Sequence, residues 1–146
     1  MRTQDSIQIK ICGITREQEI DWLLEEQVEY LGMVLFCPQS KRNLEPERAA
    51  ELLVYLKEQE KILGRVIQTV AVMVSPTREQ MKLAEELGFD FLQLHGRIEP
   101  EPWKQVKLPV IRAVQVVTNE QMTETVNTDN CVVARLYDAA RPGSGK

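Results

Sequence analysis

The chain has 146 residues, with 18 Lys and Arg against 22 Asp and Glu, a formal net charge of −4. That length suits one domain, and a hydrophobic fraction of 43% supplies enough apolar surface to offset chain entropy. The mild acidity disfavours general nucleic-acid binding, which wants a basic face, and no apolar run approaches the roughly 18 residues of a membrane helix. The first residues, Met1 to Ser6, contain no apolar segment resembling a signal peptide. Cys12, Cys37 and Cys131 are far apart and the chain has one histidine, so neither a disulfide framework nor a zinc site is indicated. The expectation is a cytoplasmic protein with free thiols and no nucleic-acid or membrane partner.

In chain order, the first apolar run, residues 7–12, reads as a strand. Thr15 and Gln18 then fit a capping box ahead of Ile20, Leu23 and Leu24, which share one helical face. A second strand is expected over 30–36, followed by a helical stripe of Ala49, Leu52, Leu53 and Leu56. A third strand, 68–74, precedes a second capping box, Thr77 with Gln80, and a helix carrying Met81, Ala84 and Leu87. Gly88 stands where that helix should be capped. A fourth strand covers 89–94, and the proline-bearing stretch 97–108 reads as a short irregular helix. A fifth strand, 110–116, leads to a third capping box, Thr118 with Gln121, and a sixth strand is expected over 131–137.

Several of these strands are apolar almost throughout, as in Val70-Ala71-Val72-Met73-Val74. Strands covered on both faces read this way, and regular strand–helix alternation implies a parallel sheet with right-handed crossovers. An open doubly wound sheet and a (β/α)₈ barrel both satisfy the pattern.

In either architecture, functional groups gather at the carboxyl ends of the strands. Cys12 closes the first strand and Arg42 follows the second. His95 follows the fourth, Arg112 lies in the fifth, and Asp138 closes the sixth. Each has a plain structural reading. Cys12 could be a small buried hydrophobe, Arg42 a solvated loop charge, His95 a loop hydrogen-bonder, and Asp138 a helix cap. Together they suggest an active site. A thiol near a lysine and a carboxylic acid across from it can move protons between neighbouring atoms, which is an isomerisation. An arginine fork suits a substrate carboxylate or phosphate. No metal set or dinucleotide fingerprint is present, so a reaction without a cofactor is favoured.

Lys10-Ile11-Cys12-Gly13-Ile14-Thr15, Leu31-Gly32 with Ser40-Lys41-Arg42-Asn43, Gln93-Leu94-His95-Gly96, Val110-Ile111-Arg112-Ala113 and Leu136-Tyr137-Asp138-Ala139 occur in one order along nearly the whole chain. This set resembles the phosphoribosylanthranilate isomerase family. The resemblance implies a (β/α)₈ barrel and an Amadori rearrangement of N-(5-phosphoribosyl)anthranilate, a phosphosugar, in tryptophan biosynthesis. It implies Cys12 as general base at sugar C2 and Asp138 as general acid at the ring oxygen. It further implies Arg42 as the anchor of the anthranilate carboxylate and His95 in a supporting role at the substrate.

Two features depart from the family pattern. The tail Pro142-Gly143-Ser144-Gly145-Lys146 resembles the start of a later family segment, so residues 1–146 are expected to form a single barrel domain holding six of eight strand–helix units. Such a chain would have open sheet edges prone to self-association; the alternative to the enzyme is an inactive truncated remnant acting as a binding or assembly module. Arg135 places a charge inside an otherwise apolar sixth strand.

Overall fold

The computed structural model describes residues 6–96, 106–116 and 131–139. The elements are β1 (Lys10–Cys12), α1 (Glu17–Glu25), β2 (Tyr30–Leu35), β3 (Asn43–Leu44), α2 (Pro46–Leu63), β4 (Gln68–Val74), α3 (Arg78–Leu87), β5 (Phe91–His95), β6 (Val110–Val116) and β7 (Val132–Ala139). The strands form one sheet in the order β1-β2-β4-β5-β6-β7, with β3 beside β2, and all pairings are parallel. A doubly wound sheet reverses its strand order at a switch point. Here the order never reverses, which is the strand sequence of a (β/α) barrel opened between β7 and β1.

The core lies on the outer face of this sheet. Leu31, Met33 and Leu35 of β2, Ala71 and Met73 of β4, and Leu92 and Leu94 of β5 alternate along their strands. They pack under Ile20, Leu23 and Leu24 of α1, Ala49, Leu52, Leu53 and Leu56 of α2, and Met81 and Ala84 of α3. The intervening residues, Val70 and Val72 among them, are buried on the concave face instead. The continuous apolar character of β4 therefore reflects cover on both faces. No helix among the described residues is long and apolar enough to cross a membrane.

The helix boundaries have local causes. Pro46 sits in the first turn of α2, where its missing N–H costs nothing, and Gly64 ends the helix at φ 64. Thr77 caps α3 by accepting from Gln80 N at 3.2 Å, while Gln80 Oε1 accepts from Thr77 N at 2.9 Å. Gly88 closes that helix at φ 92. Arg48 clamps α1 to α2 through a two-pronged pair with Glu17, 2.8 Å on each prong, and reaches Glu51 at 3.0 Å. The pair holds the Glu17 carboxyl below its ordinary range and the Arg48 guanidinium above its own.

Several boundaries differ from the sequence reading. The first strand begins at Lys10 rather than residue 7, because Ile7 is 87% exposed and register with β2 starts only at Lys10↔Tyr30. At α1 the capping residue is Arg16, and Glu19 rather than Gln18 reaches back to the backbone. The fourth and sixth strands are displaced to Phe91–His95 and Val132–Ala139. Between β6 and β7 the register slips at Val110/Ile111, where Val133 is the extra residue. Strand β3 leaves no sign in the sequence, because two residues are too few to carry periodicity. Residues 106–108 are not helical. Residues 97–105, the Thr118–Gln121 capping box and the tail 142–146 lie outside the described residues.

Candidate active site

All strands run parallel, so their carboxyl ends share one rim. Each of four strands there is followed at once by a residue of positive φ: Gly13 (84°) after β1, Phe36 (55°) after β2, Ser75 (44°) after β4 and Gly96 (77°) after β5. Two of the four are not glycine, and the left-handed region costs an L-residue about 1–2 kcal/mol. Strain of this kind concentrates at rims that bind and react.

At the β1 end, Cys12 is exposed, not the buried hydrophobe that a lone cysteine suggests. It pairs in register with Gly32 of β2. A Cβ on Gly32 would lie 3.0 Å from Cys12 Sγ and 3.3 Å from Lys10 Nζ. Thiol and ammonium therefore hang together over the one residue in β2 that leaves room for them. The Gly32 carbonyl accepts from both Gly13 N (2.9 Å) and Ile14 N (3.0 Å), which turns the chain sharply after Cys12.

Arg42 reaches the same place because of β3. Val34 pairs with β4 on one side and with Asn43 on the other, so β3 lies on the β1 side of β2, beyond the point where β1 ends. The intervening loop is tied internally. Asn43 Oδ1 accepts from Cys37 N at 2.8 Å, and Ser40 Oγ accepts from Arg42 N at 3.2 Å. The Arg42 stem crosses Gly13, and its Nη1 donates to Gly13 O (3.3 Å) and to Glu19 Oε1 (3.2 Å).

His95 and Asp138 line a concave cavity of about 480 Å³, within the usual range for small-molecule sites. Its walls are apolar on Val34, Val72, Val74 and Val114 and polar at Cys37, Ser40, Arg112 and Gln115. Burial pushes the His95 imidazole below its ordinary 6.5, against the opposing pull of the Asp138 carboxylate. Lys10 and Arg112 act in the same direction as burial. Gln93 Nε2 lies 3.0 Å from His95 Nε2. With the amide so turned, a neutral His95 accepts there and keeps its proton on Nδ1. Arg112 donates to the carbonyls of Leu94 (2.8 Å) and Gly96 (2.5 Å), fastening the strand end that carries His95.

The four residues to which the resemblance assigns roles thus fall in two groups on one rim. His95 and Asp138 line the cavity, whereas Cys12 and Arg42 stand together at the β1 end and are not among its lining residues. Sequence reasoning passed over Glu19, Gln93 and the spacing role of Gly32. The only available signal was proximity to the motifs, since each acts through a contact that periodicity does not encode.

The family profile described as N-(5'phosphoribosyl)anthranilate (PRA) isomerase matches residues 9–146. An N-(5'-phosphoribosyl)anthranilate isomerase from Nitrosomonas eutropha is 36% identical over 111 residues, covering 75% of this chain and 50% of the relative. The crystal structure of phosphoribosyl anthranilate isomerase from Thermus thermophilus superposes with a TM-score of 0.73 at 29% identity, over 96% of this chain and 66% of that one. A phosphoribosyl anthranilate isomerase in complex with reduced 1-(o-carboxyphenylamino)-1-deoxyribulose 5-phosphate gives a TM-score of 0.69 at 28% identity, over 82% and 59%. The chain thus spans between half and two-thirds of the length of these relatives. With its profile matched from residue 9 onward and its strand order shared, the chain belongs to the phosphoribosylanthranilate isomerase family.

Proposed function

We propose that this chain carries the acid, base and carboxylate-binding residues of a cytoplasmic phosphoribosylanthranilate isomerase of tryptophan biosynthesis. Its substrate is the phosphosugar N-(5-phosphoribosyl)anthranilate, and its reaction is an Amadori rearrangement. Asp138 protonates the ring oxygen as the furanose opens. Cys12 removes the proton from C2, and the resulting enolamine becomes the 1-deoxyribulose ketone. Arg42 grips the anthranilate carboxylate, and His95, neutral and held by Gln93, supports the substrate from the cavity wall. The reaction needs only proton transfers, so no cofactor is invoked.

The observation that carries the reading is the placement of Cys12 with Arg42 at one end of the rim and His95 with Asp138 in a cavity on that rim. The bound reduced carboxyphenylamino-deoxyribulose phosphate of the related structure supports the substrate class. The test is turnover of N-(5-phosphoribosyl)anthranilate by the 146-residue chain, followed by chromatography of the product. Cys12→Ala and Asp138→Asn should each lower kcat about 10²- to 10⁴-fold while changing KM far less. Unchanged turnover in Cys12→Ala would remove it as the base.

A second reading, a binding or assembly module without turnover, is favoured by Cys12 and Arg42 standing outside the lining of the cavity that holds His95 and Asp138. Binding of the reduced analogue without turnover would select this reading.

A further inference from the structure

We propose that Glu19 is the positioning residue of Arg42, so that the first turn of α1 aims the carboxylate-binding fork beside Cys12. This rests on the reading of Arg42 given above. Left alone, Arg42 has little to direct it. Its side chain is 59% exposed and rises from a loop. Glu19 supplies the direction because its own carboxylate is immobilised first. Only 12% of its side chain is exposed. Oε2 accepts from Thr15 N at 2.7 Å, Arg16 N at 3.1 Å and Thr15 Oγ1 at 3.3 Å. Those donors belong to the turn that follows Cys12, Gly13 and Ile14.

The remaining oxygen, Oε1, then faces Arg42 Nη1 at 3.2 Å, with Arg16 Nη2 at 3.4 Å. The Gly13 carbonyl takes a second contact from the same Nη1 at 3.3 Å. Among the described residues, the protein therefore engages only the Nη1 corner of the guanidinium. The Nε–Nη2 edge, which meets a carboxylate side-on with two parallel N–H···O bonds, is left for a ligand. Charge is preserved too. Two guanidinium groups share one carboxylate, so the cluster keeps a net positive charge for an anion. Against desolvation, the backbone N–H donors of Thr15 and Arg16 and the Arg16 guanidinium hold the Glu19 carboxyl below its ordinary value, so it is ionised at neutral pH.

Glu19→Gln separates positioning from capping. One amide oxygen can keep the bonds from Thr15 and Arg16, while the amide nitrogen turned toward Arg42 repels it. Two readouts are needed. First, guanidinium ¹⁵N NMR of the 146-residue chain, with Arg42 assigned by its loss in Arg42→Lys, should show slow rotation of this group in the native chain and averaged rotation in Glu19→Gln. Second, calorimetry should compare reduced 1-(o-carboxyphenylamino)-1-deoxyribulose 5-phosphate with its counterpart lacking the ring carboxylate. Glu19→Gln should weaken the first about tenfold, the size of one charge-assisted contact, and the second less than twofold. In an Arg42→Ala background the substitution should add nothing.

Slow Arg42 rotation persisting in Glu19→Gln, or equal weakening of both ligands, overturns the proposal and leaves Glu19 a helix cap only. If the native chain binds neither ligand, the functional reading fails, while the NMR comparison still decides whether Glu19 positions Arg42.

Discussion

His95 is the only imidazole in the chain, so its protonation can be followed without ambiguity. Burial is the largest influence on it and lowers its affinity for a proton, Lys10 and Arg112 add to that, and Asp138 opposes them. The unfolded chain therefore binds a proton at His95 at higher pH than the folded chain does. The contribution of neutral His95 to stability is complete above its unfolded value near 6.5 and shrinks as pH falls through and below it. The C2–H resonance of His95 should titrate with a midpoint below 6.5. Asp138→Asn should move it lower still, since it removes the one influence that favours the imidazolium. A midpoint that rises in Asp138→Asn would place the carboxylate elsewhere. Glu17 and Glu19 behave in the opposite sense. Both are held below 4.5, so their ion pairs support the fold above that pH and fail only in acid.

The helices are joined to the sheet by a few buried polar contacts as well as by their apolar stripes. Glu60, near the end of α2, is buried, and its Oε1 accepts from Ile67 N at 2.8 Å just before β4. Its other oxygen meets Lys57 Nζ at 2.9 Å, a pair half open to solvent on the lysine side. Glu60→Ala would leave the buried Ile67 N–H unpaired, at a cost of about 1–3 kcal/mol. Glu60→Gln keeps an acceptor and should lose less than half of that. Lys57→Ala removes only a partly solvated pair and should cost about 0–1 kcal/mol. Urea denaturation of the three variants checks the order. Equal losses in Glu60→Gln and Glu60→Ala would show that the charge, not the acceptor, joins α2 to β4.

At the scale of the whole molecule, the described residues leave β1 and β7 as the two edges of a parallel sheet. Ile9 and Ile11 near one edge and Val133 and Tyr137 on the other are substantially exposed. Apolar edge strands with unpaired backbone groups invite pairing with other chains, and a lysine on such an edge blocks it. The 146-residue chain should therefore show concentration-dependent association in sedimentation velocity, and Val133→Lys with Tyr137→Lys should reduce it. A chain that stays monomeric over a hundredfold concentration range would mean that these edges are covered.

By itself the sequence determined the alternation of strands and helices, because burial on two faces for β4 and on one stripe for α1–α3 writes itself as hydrophobic period. It also determined the candidate residues, because Cys12, His95 and Asp138 stand at the ends of such runs and Arg42 just beyond one. It left open barrel against doubly wound sheet, since both alternate alike. Only the unreversed pairing order, a set of contacts between residues far apart in the chain, decided that. Tertiary structure alone also decided how the rim is assembled. The two-residue strand β3 carries Arg42 over Gly13, Glu19 meets it there from another element, and the missing side chain of Gly32 makes room for Cys12. These are contacts across strands and loops, set by packing in three dimensions, and no periodicity along one segment records them.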